Sequence, residues 1–198
     1  MSFRLFSLAS ILWLAACGGK STQSADSDTI RKEAAVEAAK KAAQEAFATL
    51  SGELATAMAE GGPVEAVEIC STKAPKILED LSRKRSLEIA RVSDHARNPL
   101  SMAQGADLEV IQAFRESIGR GESPTPDVRE GAAGSLTVRL PIVLTQPLCL
   151  QCHGSESDIA PETREMIRTL YPSDLATGYQ LNNLRGIWRI SVPRSSAR

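Results

Sequence analysis

Residues 30–60 constrain the fold more than any other segment: they are alanine-rich, interleaved with Glu and Lys, and free of proline. These residue types enter a helix at the lowest cost, and none removes a backbone donor, so the segment predicts one long helix. Val36, Ala39, Ala43, Phe47, Leu50, Leu54 and Met58 recur at three- and four-residue spacing, which predicts one apolar stripe along it. Gly61-Gly62-Pro63 ends the helix, and Pro63 suits the first turn of a second helical stretch over 64–70, punctuated by Pro75. A stripe this long must be buried against something, and the rest of the chain supplies it. Residues 86–92, 136–144 and 186–192 carry the β-branched and apolar bulk of strands. Residues 108–118 have helical spacing closed by Gly119 and Gly121, and 122–134, with two prolines and two glycines, read as a loop or hairpin connection. Helices ahead of strands predict an α+β domain over 30–198 with a small antiparallel sheet.

The segment ahead of the helix has a different character. Arg4 precedes an apolar run over 5–16, interrupted only by Ser7 and Ser10 and too short to span a bilayer. It ends in Leu14-Ala15-Ala16-Cys17, which resembles the lipobox of bacterial lipoproteins. Residues 1–16 are therefore expected to be a lipoprotein signal peptide and Cys17 a lipidated anchor. Residues 17–29, polar and lacking large apolar side chains, are expected to form a flexible tether. Gly18-Gly19 in place of Asp after Cys17 resembles sorting to the outer membrane, with the domain facing the periplasm. A net charge of −1 and only 4% aromatic residues give no field and few stacking surfaces for nucleic acid, so no nucleic-acid partner is expected.

Cys149-Leu150-Gln151-Cys152-His153 is a C-x-x-C-H motif. Two thiols three positions apart can each add to one vinyl group of a porphyrin, and the adjacent imidazole then reaches the iron, so the motif predicts one covalently bound haem c. An export signal agrees, because this attachment takes place outside the cytoplasm. Two other readings of these thiols exist. A zinc-stabilised structural lipoprotein would recruit Cys70, Cys149, Cys152 and a histidine, although structural zinc usually shows two close cysteine pairs. A thioredoxin-like redox pair would need a βαβ setting.

With Cys17 lipidated and Cys149 and Cys152 attached, Cys70 has no disulfide partner. It suits a small buried hydrophobe on the inner face of its helix, or a sixth iron ligand, a role for which His95, Met102 and Met166 also qualify. Arg97 and Arg185 match the haem propionates in charge and geometry, or are solvated surface arginines. A peroxidase-type enzyme would need a distal imidazole, and only His95 offers one.

The blocks Val67-Glu68-Ile69-Cys70 with Ala74-Pro75, Arg91-Val92-Ser93, Arg97-Asn98-Pro99, the motif with Gly154, Tyr171-Pro172 with Asp174, Ala176-Thr177-Gly178-Tyr179, and Leu184-Arg185-Gly186 occur in this order. Together they resemble a bacterial family of single-haem c-type proteins with a PAS-like fold and His/Cys axial ligation, long known as a domain of unknown function. Ser101 and Asn182-Asn183 depart from the family pattern in loops. The resemblance implies a PAS-like sheet behind the long N-terminal helix, with Cys70 as the thiolate opposite His153. It also implies electron transfer or redox and ligand sensing, through a separate redox partner protein, rather than an enzyme. A thiolate ligand would hold the potential low.

Overall fold

Alanine decides how the front of the chain packs. The computed structural model describes residues 21–194, so the expected signal peptide and the lipidated Cys17 lie outside the described residues. Helix α1 runs Ser21–Arg85, with Gly62 inside it at φ 71°, ψ −162°. Only glycine adopts that backbone readily, so α1 is two helical arms that meet at Gly62, with Pro63 opening the second, as the sequence predicts. Lys73 bonds Glu53 at 2.7 Å, while Lys84 and Arg85 bond Glu45 at 2.8 and 2.7 Å. These pairs run in opposite directions along the chain, so the arms fold back on one another as an antiparallel hairpin.

The buried face of the first arm is Ala35, Ala39, Ala42, Ala43 and Ala46, set with Leu81 of the second arm against the sheet residues Leu136, Val138, Leu140, Trp188 and Ile190. Methyl side chains let a helix approach a sheet closely. The expected stripe is corrected at Phe47, which is 56% exposed. It lies about 100° around the helix from Ala46, off the narrow face that meets the sheet.

Pro75 does not end the second arm, which continues to Arg85. One proline removes a single backbone bond, and Ala74 and Leu81, both buried, hold the arm down on either side of it. The expected tether is also corrected over its described part, because Ser21 to Thr29 are helical. Asp28 bonds Arg31 at 3.1 Å and Lys32 at 2.7 Å, and Arg31 reaches the Gly134 carbonyl at 2.9 Å, tying this end of α1 to the rest of the domain.

Four strands, β1 (Glu88–Val92), β2 (Asp127–Glu130), β3 (Leu136–Val143) and β4 (Leu184–Val192), form one sheet in the order β1-β4-β3-β2. Every pairing is antiparallel, so the α+β class holds. Strand β2 lies in the segment expected as a connection. Its pattern is nearly all polar, and pairing with β3 rather than apolar bulk makes it a strand. Helix α2 (Ala106–Gly119) covers the second face with Val110, Ile111 and Phe114 on Val92, Leu184 and Ile187. Asp107, 4% exposed, accepts from Arg139 at 2.6 Å and Arg189 at 2.9 Å, which locks α2 to β3 and β4. Two short helices, α3 (Pro147–His153) and α4 (Pro161–Leu170), stand between β3 and β4. Among the described residues no helix is long and apolar enough to cross a membrane.

Enlarging the alanine face is expected to be costly: Ala39→Leu, at a fully buried position, should destabilise by about 1–3 kcal/mol through overpacking. Phe47→Ala should change stability by less than about 0.5 kcal/mol. Urea unfolding of the two variants checks the contrast, which reverses the order expected from side-chain size alone.

Candidate functional site

The C-x-x-C-H motif is a helix of its own. Pro147 opens α3, Cys149 falls in its first turn, and three-residue spacing puts Cys152 on the same face with His153 last. Gly154 N–H donates to the Leu150 carbonyl at 2.8 Å and closes the helix. A Cβ on Gly154 would lie 2.6 Å from that same carbonyl and from Asp158 Cβ, so the close approach requires glycine.

The segment between α4 and β4 is laid along the end of α3. Gly178 N–H donates to the Gly154 carbonyl at 2.7 Å, and Tyr179 N–H to the His153 carbonyl at 2.9 Å. This brings the Ala176 carbonyl to 2.7 Å from His153 Nδ1. A carbonyl can only accept, so Nδ1 carries the proton and Nε2 is left with its lone pair. Burial pushes the His153 imidazole well below its usual range, and the charges of Arg97 and Arg185 push the same way. The ring is therefore neutral at physiological pH. Tyr179 meets it edge-on, with centroids 6.4 Å apart.

Arg97 makes this arrangement rigid. Its Nε and Nη2 each donate to Asp174 at 3.2 Å, and Nη2 also reaches the Cys152 carbonyl at 2.5 Å and the Ala176 carbonyl at 3.5 Å. The Arg97 and Asp174 side chains are only 14% and 9% exposed. Asp174 in turn accepts from Ala176 N–H at 2.9 Å. One guanidinium thus joins α3 to the carbonyl that orients His153. The forked edge that sequence analysis offered to a propionate is engaged by the protein itself.

Cys70 comes to the same place from the second arm of α1. One turn before it, Val67 packs with Ile159 and Ile167 against Cys152, Met166 and Tyr171. Cys70 lies within electrostatic reach of Cys152, Arg91 and Arg97. It is exposed, which corrects its reading as a buried core residue. Nearby protein nevertheless raises the Cys70 thiol pKa by desolvation, against the lowering pull of Arg91 and Arg97. Burial raises Cys152 likewise.

Arg185, on β4, donates from Nη1 to the His95 carbonyl at 3.0 Å, and its guanidinium lies 5.4 Å from the Tyr179 ring centroid. Its Nε and the Tyr179 hydroxyl are buried without hydrogen-bond partners. Arg91, on β1, lies 6.0 Å over Trp188 and within reach of Cys70, Tyr171 and His153. Sequence reasoning did not single out Arg91, Asp174 or Tyr179 for the site. The available signal was an arginine in an otherwise apolar stretch of β1, opposite Trp188 on the face that α1 covers.

The other ligand candidates separate. The His95 side chain is 57% exposed, with Nδ1 3.4 Å from Asp94, so its imidazole is engaged at the surface. Met102 forms a backbone bridge with Ser93, and Met166 packs beside Cys152. Among the described residues no three His, Cys, Asp or Glu side chains gather as a metal site. The helix that a thioredoxin-like pair needs is present after β3, but the sheet is antiparallel throughout and lacks the βαβ unit of that setting.

A family model described as Tll0287-like matches residues 22–193. Among solved structures, the crystal structure of the cyanobacterial heme-protein Tll0287 is similar, with a TM-score of 0.56 and 20% identity, covering 77% of this chain and 92% of that chain. No curated protein matches.

Breaking the clamp should be strongly destabilising. Asp174→Asn leaves Arg97 charged in a nearly dry site, and a loss of roughly 3 kcal/mol is expected from urea unfolding. The haem-free chain should also depend on pH through His153. Its folded pKa is depressed, so the unfolded chain binds the extra proton, and the stability present above the ordinary imidazole pKa is lost as pH falls towards the folded value. Unfolding curves from neutral to mildly acidic pH should show this slope, and His153→Gln should flatten it.

Proposed function

Because the chain belongs to the Tll0287-like family, we propose that it is a haem protein carrying one covalent haem c, attached through Cys149 and Cys152, with His153 and Cys70 as its axial ligands. The observation that carries the reading is His153, held neutral with Nδ1 bonded to the Ala176 carbonyl and Nε2 free, beside two thiols on one helical face. The donor set fits the group. A ligating imidazole usually donates its other N–H to a carbonyl or carboxylate, which fixes the tautomer and makes the free nitrogen a better donor. Arg91, Arg97 and Arg185 all lie within electrostatic reach of His153 with one carboxylate, Asp174, among them, a charge balance that suits an anionic cofactor.

Such a haem supplies reversible one-electron exchange. The chain's residues decide how that exchange is used. Ala176 and Arg97 hold the imidazole in place, and Val67, Ile159 and Ile167 keep one side of the site apolar. Cys70, raised as a free thiol, becomes a thiolate on binding iron, and a thiolate ligand holds the reduction potential low. We read the protein as a low-potential electron carrier or a redox or ligand sensor that signals by loss or exchange of Cys70, acting with a separate partner protein. The four-stranded antiparallel sheet with helices on both faces supports a PAS-like fold. The lipobox-like Leu14-Ala15-Ala16-Cys17 supports a lipid-anchored protein facing the periplasm, on the outer membrane.

The test is maturation of wild type and Cys70→Ala with the haem c attachment machinery. Wild type is expected to gain the mass of one haem and to give a low-spin ferric EPR spectrum with thiolate character that Cys70→Ala loses. Absence of covalent haem overturns the reading. Identical spectra for the two proteins remove Cys70 as the ligand and leave Met166, beside Cys152, as the next position to change.

A further inference from the structure

Two cations near His153, Arg91 and Arg185, have no ion-pair partner among the described residues, whereas Arg97 is held by Asp174. Arginine keeps its charge at any pH a protein meets; Arg91 is exposed, while Arg185 is half-buried, and a guanidinium drawn partly out of water without a counter-charge is costly. Both are nevertheless placed with care. Trp188 lies under Arg91 at 6.0 Å and Tyr179 under Arg185 at 5.4 Å. An aromatic face fixes the plane of a guanidinium and leaves its donor edges turned outward, the geometry that carboxylate recognition uses. Arg185 commits one nitrogen to the His95 carbonyl at 3.0 Å, and beside it the Arg185 Nε and the Tyr179 hydroxyl are both buried and unpartnered. Two orphaned donors on a stacked pair of side chains mark the place of an acceptor.

Arg97 differs on every count. Its Nε and Nη2 are bonded to Asp174 and to the Cys152 and Ala176 carbonyls, and its work is to hold α3 against the segment before β4. Setting Arg97 against Asp174 leaves a surplus of two positive charges, which is what the two carboxylates of a haem offset.

Resting on the haem reading above, we propose that Arg91 and Arg185 each hold one propionate of the bound haem, with the Tyr179 hydroxyl donating to the one on Arg185, and that Arg97 is a positioning residue that touches neither.

The test uses the matured holoprotein and compares Arg91→Gln, Arg185→Gln, Tyr179→Phe and Arg97→Gln. The readouts are the propionate bending modes in resonance Raman spectra and the midpoint potential as a function of pH. Removing a paired arginine should raise the proton affinity of one carboxylate by about one to three pH units. Arg91→Gln and Arg185→Gln should therefore each shift a propionate mode and bring the pH-dependent part of the potential closer to neutrality. Tyr179→Phe should move the same mode as Arg185→Gln by less. Arg97→Gln should leave the modes at their wild-type positions while lowering the thermal midpoint.

Should a glutamine variant fail to mature, Arg91→Lys and Arg185→Lys keep the charge but lose the fork, and the mode shift is still expected. Modes that move for Arg97→Gln and stay still for Arg91 and Arg185 overturn the assignment, and a shift for only one of the pair removes the other from it. Wild type without covalent haem, read independently from its alkaline pyridine spectrum, overturns the haem reading itself.

Discussion

The hydrogen bond between His153 Nδ1 and the Ala176 carbonyl, at 2.7 Å, is the contact on which the site depends, and it exists because Arg97 holds both of its ends. The imidazole belongs to α3 and the carbonyl to a segment more than twenty residues later, with α4 between them. Neither a helix ladder nor a sheet register joins those two pieces. Two backbone bonds, from Gly178 to Gly154 and from Tyr179 to His153, lay them together, and one planar fork that reaches Asp174 and two backbone carbonyls at once fixes them, a geometry open to arginine and closed to lysine. A buried ion pair adds little net stability against an apolar replacement. Its value here lies in position: the carbonyl arrives at one nitrogen of one ring, so the other nitrogen is presented with its lone pair.

The fold serves the same end by bringing Cys70 to α3 from a distant part of the chain. The alanine face of the first arm seats α1 closely on the sheet, and Gly62 turns the chain so that the second arm returns past α4. Val67 then packs with Ile159 and Ile167. The exposed pairs between the arms, Lys73 with Glu53 and Lys84 with Glu45, contribute little to this, because water and salt screen them. Apolar burial holds the second arm, and the ion pairs set its register.

Much of this was legible in the sequence wherever a local rule acts alone. Gly61-Gly62-Pro63 announces the turn between the arms, since glycine and proline limit the backbone before any tertiary contact forms. Strands β3 and β4 show in their own side chains, and the motif declares its chemistry by spacing. Elements defined by their partners were hidden. The four residues of β2 are nearly all polar, and only β3 makes them a strand. Phe47 has the right spacing for the stripe, yet the sheet accepts methyl groups and turns the ring outward. The arginines show the limit most clearly. Arg91, Arg97 and Arg185 are the same residue type in sequence, and only their neighbours separate a clamp bonded to Asp174 from two guanidiniums stacked on rings with no anion.

That distinction bears on how the proposed ligand Cys70 could respond to a change at the iron. The His153 side of the site is tied by a nearly dry ion pair and several backbone hydrogen bonds. The Cys70 side is held by apolar packing one turn away, and Cys70 itself is exposed. Apolar contacts do not fix direction as hydrogen bonds do, so a shift of the second arm relative to α4 costs less than any shift of α3 relative to the Ala176 carbonyl. Of the two proposed ligands, Cys70 is thus the one held without directional bonds.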